Sequence, residues 1–405
     1  MSELAIHGGP PVRRAPFPDY PVLGNAEVEA VTAAVRTNNL SAQMGEVATA
    51  FEREFAAYCG ARHAVATSSG TTALHSALIA AGIGVGDEVI VPPYAFLSTA
   101  TSVLMQCALP VFADIERQTL GLDPEAVEAK INHRTRALIV VHMNGYPADM
   151  DGLMAVAEKH GLVVIEDCAH AHGARFGDKS VGTIGHMGAF SFQQKKNLSL
   201  GEGGMVITDD AELETRLRAL YSFGPGVPLS YNYRMPELQA AIGRARLPRL
   251  DADNDVRGRH GRYLDAALEG VACLRPQRGR VDTRVVYYNY VLHYTDGGNG
   301  VHMQRFVEAV RAEGIALPQI YAPIYRHETF KTADAYGRGF PFVSPFYEAG
   351  EEVPSYEDGL CPVAEEFCDR RNIEVKIHPT YSEEDVADIA AAFVKVAEHI
   401  GDLET

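Results

Sequence analysis

Apolar residues follow two different rhythms along this chain. Between residues 60 and 210 short apolar runs alternate with stretches whose apolar positions recur every three or four residues. "HAVATSS" reads as a strand and "TTALHSALIAAGI" as a helix that stops at Gly82 and Gly84. "DEVIVPP", "LPVFADI", "RALIVVHMNG", "LVVIEDCAHA", "MGAFSF" and "GGMVITD" read as further strands. "LSTATSVLMQCA", "PEAVEAKI" and "MDGLMAVAEKHG" read as the helices between them. Continuous Val/Ile-rich runs separated by helices are the pattern of a mostly parallel sheet covered on both faces, so the fold class is α/β. After Asp210 the texture changes. "AELETRLRALYSFG" and "MPELQAAIGRARLPRLDADNDVRGRHGRYLDAAL" are helical, the second long enough to be a spine between two lobes. "RVVYYNYVLHY" and "RNIEVKIHP" read as strands, with "HMQRFVEAVRAEGI" and "SEEDVADIAAAFVKVAEHI" as helices. That order predicts a smaller α+β domain at 251–405, following a large domain with an N-terminal arm at 1–250. Residues 331–359, rich in Gly, Pro and aromatics, read as a loop that lines a pocket.

Composition narrows the function. Lys and Arg total 36 against 53 Asp and Glu, a formal charge of −17 in 405 residues. Such acidity argues against nucleic acid or an anionic membrane as partner. The sequence contains no apolar run of membrane-spanning length, and "MSELAIHGGPPVRRAPFP" lacks the apolar core of a signal peptide. The cysteines at 59, 107, 168, 273, 361 and 368 are scattered with no CxxC pair, as expected of free thiols in the cytoplasm.

Three stretches carry chemistry. In "ATSSGTTALHSAL", Ser68, Ser69, Gly70, Thr71 and Thr72 lie where a strand gives way to a helix. The unpaired N–H groups and positive dipole end of a helix can hold a phosphate there. A plain N-cap is the competing reading. In "VVIEDCAHAHGA", Glu166 and Asp167 reach the carboxyl end of a strand, where open α/β sheets bind ligands. With His142, His170 and His172, Asp167 also permits a metal-hydrolase reading, although the spacing matches no established zinc motif. In "FSFQQKKNLSLGEGG" a strand ends at two lysines and a glycine turn. A solvated charge pair is the competing reading. Pyridoxal 5'-phosphate needs all three features together: an amine for a Schiff base, a carboxylate for its ring nitrogen, and donors for its phosphate. Spacing alone does not separate Lys195 from Lys196.

The order SGTTAL, EDCAHAHGA, FSFQQKKNLSLGEGG, YNYRMPELQAAIG closely resembles the DegT-type sugar and cyclitol aminotransferases, fold type I enzymes that use pyridoxal 5'-phosphate, over nearly the whole chain. The resemblance implies Lys196 as the Schiff-base lysine and acid/base, and Asp167 as partner of the pyridinium nitrogen. It implies His170 near the ring, Phe96 stacked on the cofactor face, and Ser69, Gly70, Thr71 and Ser191 around the phosphate. Asn232 and Arg234 resemble residues that reach into a partner subunit's site, which implies a homodimer with shared sites. Tyr325 and His378 match positions that contact substrate in relatives. The implied reaction moves an amino group from glutamate or glutamine to a ketone on a sugar or cyclitol, in secondary-metabolite or aminoglycoside-type biosynthesis. No metal is implied. The runners-up are an aminotransferase of a keto nucleotide-sugar and a dehydratase that keeps its lysine; the branch that replaces the lysine by histidine is disfavoured by Lys196.

Overall fold

The computed structural model describes residues 3–223, 229–298, 300–344 and 353–403. Its centre is a seven-stranded sheet formed by β1 (His63–Thr67), β2 (Glu88–Val91), β3 (Leu109–Phe112), β4 (Thr135–Val141), β5 (Val163–Asp167), β6 (Met187–Ser191) and β7 (Gly204–Thr208). The order across the sheet is β1-β7-β6-β5-β4-β2-β3, with β7 antiparallel to both neighbours and the other pairings parallel. The α/β expectation therefore holds, and the antiparallel β7 follows from the short "NLSLGEGG" return, too brief for a parallel crossover. β5 lies at the middle of the sheet, and β1, β5 and β6 all end on the same edge. Strands buried on both faces explain why the sequence shows continuous apolar runs instead of alternation.

Helix Gly70–Ala80 follows β1 directly and is capped by Ser69, whose Oγ accepts from the Thr72 N–H at 3.2 Å. The expected spine is two helices, Glu237–Arg246 and Leu250–Ala267, with a 3-10 turn at Leu247–Arg249 between them. Pro248 lies in that turn, and its missing N–H interrupts the α-helical ladder.

A second sheet of β8 (Leu274–Pro276), β9 (Tyr290–Tyr294) and β10 (Asn372–Val375) is antiparallel throughout, in the order β8-β9-β10. Its core takes Leu264, Tyr290, Ile373, Val375 and Phe393, and also Leu4 from far upstream. The strand expected over "RVVYYNYVLHY" is broken: Arg284 belongs to a two-residue strand, Thr283–Arg284, paired with Arg175–Phe176, and the longer strand begins at Tyr290. The residues before it use their backbone on the large domain: Val286 N–H donates to Gly145 O at 3.1 Å and Tyr288 N–H to Asn144 O at 2.9 Å.

The Gly/Pro/aromatic stretch does not behave as a pocket-lining loop where it is described. Phe342 and Tyr356 are buried, and Tyr356 packs with Phe330 against Phe112 in the first core. Aromatic side chains this large outweigh the glycines and prolines around them. Residues 345–352 lie outside the described residues. Among the described residues no helix is long and apolar enough to cross a membrane.

Candidate active site at the carboxyl edge of the sheet

A cavity of about 410 Å³ opens where β1, β5 and β6 end. Ser69, Gly70, Thr71, Phe96, Asp167, His170, Ser191, Lys195 and Lys196 line it, together with Gln193, Tyr288 and Tyr321.

Asp167 ends β5. Neighbouring strand residues point to opposite faces, so Asp167 turns to the cavity while Glu166 turns away. Asp167 is buried; its Oδ2 accepts from Thr99 Oγ1 at 3.0 Å and its Oδ1 from the Ala169 N–H at 3.1 Å. Burial raises its pKa above the usual carboxylate value, against those two hydrogen bonds and the charges of Lys196 and His142. A carboxylate so enclosed calls for a cation in the cavity.

Glu166 binds His142 Nε2 at 2.9 Å and accepts from the N–H groups of Gly182, Ile184 and Gly185 at 2.7–2.8 Å. The metal reading fails on this geometry. Among the described residues, the group close enough to share an ion is His142, Glu166 and Cys168. Glu166's lone pairs there are already spent on protein donors, and His142 Nδ1 accepts from the Ala148 N–H. His172 lies between the rings of Phe190 and Phe192, its pKa pulled down to about 3 chiefly by burial.

The helix after β1 supplies the anion cradle. Of the first N–H groups, that of Thr72 goes to Ser69 Oγ and that of Ala73 to Ser69 O. Those of Gly70 and Thr71 are left for a ligand. A Cβ at Gly70 would lie 2.5 Å from Ser191 Cβ and 3.0 Å from its Oγ, so only glycine lets the two chain segments meet this closely. Ser69 thus serves as the cap and also lines the cavity.

Lys196 faces Asp167 electrostatically. Burial lowers its pKa to about 8, and Asp167 partly opposes the fall. Lys195 is exposed at the rim. His170 lies flat on Tyr288, ring centroids 3.9 Å apart and 11° between planes; burial, Lys196 and Lys376 hold it neutral. Its Nδ1 has no partner. Phe96 is 54% exposed in the cavity, with Tyr321 edge-on at 6.1 Å.

The anion cradle, the buried carboxylate, the lowered amine and an uncovered aromatic face fit pyridoxal 5'-phosphate. Gly70, Thr71 and Ser191 would hold its phosphate, Asp167 its ring nitrogen, Phe96 its face, and Lys196 its aldehyde carbon.

Four sequence-derived residues lie elsewhere in the protomer. Asn232 is exposed and outside the cavity. Arg234 donates to the Tyr221 carbonyl. Tyr325 is buried in the first core, its hydroxyl donating to Glu365. His378 stacks on Tyr20 at 4.8 Å. For the tyrosine the correction is one helical turn of sequence, since Tyr321 is the one that lines the cavity. Tyr288 and Thr99 had no sequence signal beyond a strand pattern and a helix start.

The model of the DegT/DnrJ/EryC1/StrS aminotransferase family matches residues 21–358. The chain is 37% identical to an L-glutamine:2-deoxy-scyllo-inosose aminotransferase of Streptomyces fradiae, over 100% of both chains. An aminotransferase structure from Psychrobacter cryohalolentis superposes with a TM-score of 0.84 at 30% identity, covering 95% of this chain and all of that one. A 3-amino-5-hydroxybenzoic acid synthase does so at 0.83 and 29%, covering 96% and 100%.

Proposed function

Because the chain belongs to the DegT/DnrJ/EryC1/StrS aminotransferase family, and is therefore a pyridoxal 5'-phosphate-dependent aminotransferase, we propose that it moves the amino group of L-glutamine to the ketone of a cyclitol. The observation that carries the site is the meeting of Lys196, Asp167 and the Gly70–Ser191 cradle in one cavity. The acceptor class is supported by relatives named for 2-deoxy-scyllo-inosose. We assign this chain to aminoglycoside-type biosynthesis in the cytoplasm, a reading supported by the relatives named for L-glutamine and 2-deoxy-scyllo-inosose.

When bound, pyridoxal 5'-phosphate supplies a ring that accepts electrons as the donor's Cα proton leaves. The protein does the rest. Asp167, kept in place by Thr99 and Ala169, stays ionised beside a protonated ring nitrogen. Lys196 Nζ, its pKa lowered to about 8, is neutral often enough near that pH to serve as the base: it would take the donor's Cα proton and pass it to the cofactor's aldehyde-derived carbon, and would run the same transfer in reverse when the acceptor is aminated. His170, held neutral, would add no charge against the ring. The free N–H groups of Gly70 and Thr71 would anchor the phosphate and so limit the motion of the cofactor in the cavity.

We further propose a homodimer with shared sites. Asn232 is exposed outside its own cavity, and Val22, Leu23, Val28, Val35, Leu40 and Met44 leave apolar surface uncovered along the N-terminal helix and its flanks.

The test is spectroscopic. Wild type should show a cofactor band near roughly 410–430 nm that moves to about 330 nm with glutamine, lost in Lys196→Ala and kept in Lys195→Ala. A wild-type protein without that band, even after added cofactor, would sink the assignment. Product analysis with 2-deoxy-scyllo-inosose and with a keto nucleotide-sugar then separates the acceptors, and a dehydrated product without new nitrogen would point to the dehydratase.

A further inference from the structure

From Asn372 to His378 the chain alternates strictly: Asn372, Glu374, Lys376 and His378 are polar, while Ile373, Val375 and Ile377 are apolar. The apolar three fill the second core. Alternate residues of extended chain face opposite ways, so the polar four turn together toward the large domain. Asn372 Nδ2 donates to Tyr94 Oη at 2.6 Å. Glu374 accepts from the Tyr94 hydroxyl, from Asn144 Nδ2 at 2.9 Å and from Asn289 Nδ2 at 2.5 Å. Lys376 Nζ donates to the Tyr288 carbonyl at 3.2 Å and lies 3.6 Å from the centre of the Tyr288 ring. His378 stacks on Tyr20, whose hydroxyl donates to the Asn197 carbonyl at 2.6 Å. Each rung ends beside a site residue: Tyr94 precedes Phe96 by two, Tyr288 carries His170, and Asn197 follows Lys196.

The Lys376 rung is the one that sets an amine over an aromatic face. His170 lies parallel on Tyr288 at 3.9 Å, so a cation 3.6 Å from the same ring centre must sit on the opposite face. Tyr288 is therefore held between Lys376 behind and His170 in front, with Lys196 Nζ 4.7 Å from the same ring centre. Around Lys376 stand Glu374 on its own strand, Lys195 and Lys196 from the loop after β6, and Arg257 from helix Leu250–Ala267.

We propose that Lys376 is a positioning residue for transamination: its Nζ, hydrogen-bonded to the Tyr288 carbonyl and lying over the ring, pins Tyr288 from behind, and Tyr288 in turn keeps His170 flat against the cofactor site. This rests on the cofactor reading above. Burial draws the Lys376 pKa down to about 7, with Glu374 opposing the fall and Lys196, Arg257 and Lys195 adding to it. A methionine of similar length would cover Tyr288 without donating to its carbonyl or to the electron-rich ring face, so it isolates the part played by the amine.

The experiment compares wild type, Lys376→Met, Lys376→Arg and Tyr288→Leu, together with Lys376→Met in the Tyr288→Leu background, all as holoenzymes. Lys376→Met should keep its cofactor and its melting temperature. It should change the visible circular dichroism of the bound cofactor and lose about tenfold in kcat with KM for glutamine within about twofold. Lys376→Arg should recover most of both signals. In the Tyr288→Leu background the same change should cost less than about twofold, since the path through Tyr288 is already cut. Unchanged dichroism and kcat in Lys376→Met, or full additivity with Tyr288→Leu, overturns the proposal. So does failure of both Lys376→Met and Lys376→Arg to fold, which would place the lysine in the fold's stability instead. A wild-type enzyme lacking the cofactor band would sink the cofactor reading itself, a result distinct from any of these.

Discussion

Replacing Gly70 by alanine tests the cradle with a single methyl group. The new Cβ would lie 2.5 Å from Ser191 Cβ, 3.0 Å from its Oγ and 3.2 Å from its Cα. Carbon atoms in contact prefer about 3.5–4.0 Å, so Ser191 or the start of helix Gly70–Ala80 must retreat by about 1 Å. Overpacking of this kind costs about 1–3 kcal/mol. The retreat also parts the two groups that would grip the phosphate, so the Kd for pyridoxal 5'-phosphate should rise at least about tenfold, or roughly 1.4 kcal/mol. At a cofactor concentration 100-fold above the wild-type Kd, binding stabilises the protein by about 2.7 kcal/mol, and the variant should lose about half of that. The assay is thermal unfolding of apo and holo forms, with cofactor titration by absorbance. The apo form should melt somewhat lower, and the gap between holo and apo should shrink. A variant with wild-type Kd and an undiminished gap would refute the cradle, whatever its apo stability.

Other expectations follow from the same geometry. The amine of Lys196 must be neutral to react, so formation of the cofactor band by apoenzyme, followed by stopped flow, should speed up about tenfold per pH unit below about 8 and level off above it. Asp167→Asn removes the charge that holds that pKa up, so its plateau should begin at lower pH; an unmoved or raised onset contradicts the electrostatic account. Phe96→Ala removes an exposed ring, so apo stability should stay level while the cofactor Kd rises several-fold, in line with about 0.5–1.5 kcal/mol for a stacked aromatic pair. Inactive Lys196→Ala and Asn232→Ala chains, mixed and allowed to exchange, should regain activity if sites are shared between subunits; inactivity of the mixture despite exchange would confine the site to one chain.

Much of the large domain could be read in the sequence because its strands are buried on both faces and its ligand sits at strand ends. Apolar runs marked β1 to β7, and residues at or just past the ends of β1, β5 and β6, Ser69, Asp167 and Ser191, are among those that line the cavity. The choice between Lys195 and Lys196 needed register within a family pattern, since both line the opening and only burial distinguishes them. What escaped the sequence depended on contacts distant along the chain. Thr99 matters only because β5 brings Asp167 beside it. Tyr288 reads as a strand residue, yet its backbone belongs to Asn144. Tyr325 and Tyr321 are equally aromatic, and the partner Glu365 decides which one is turned away. The long helix was read straight through Pro248, because the strong helical pattern on both sides masked the turn there.

The second core is sewn shut by residues 4–13, made long before the elements they bind. Leu4 lies within it; the Ala5 and Val12 N–H groups donate to the buried Glu313 at 2.8 and 3.0 Å; Arg13 pairs with Asp385 and Asp388 at 2.7 and 2.8 Å; and Lys395 completes the Glu313 site. These contacts span some three hundred residues and more of chain, so residues 4–13 wait without a home until helix Glu383–Glu398 has been synthesised. The strands of the central sheet are all made by Thr208, whereas Lys376 comes just after β10 and belongs to the later set. Removing residues 4–13 should therefore damage a region that lies more than three hundred residues away in sequence.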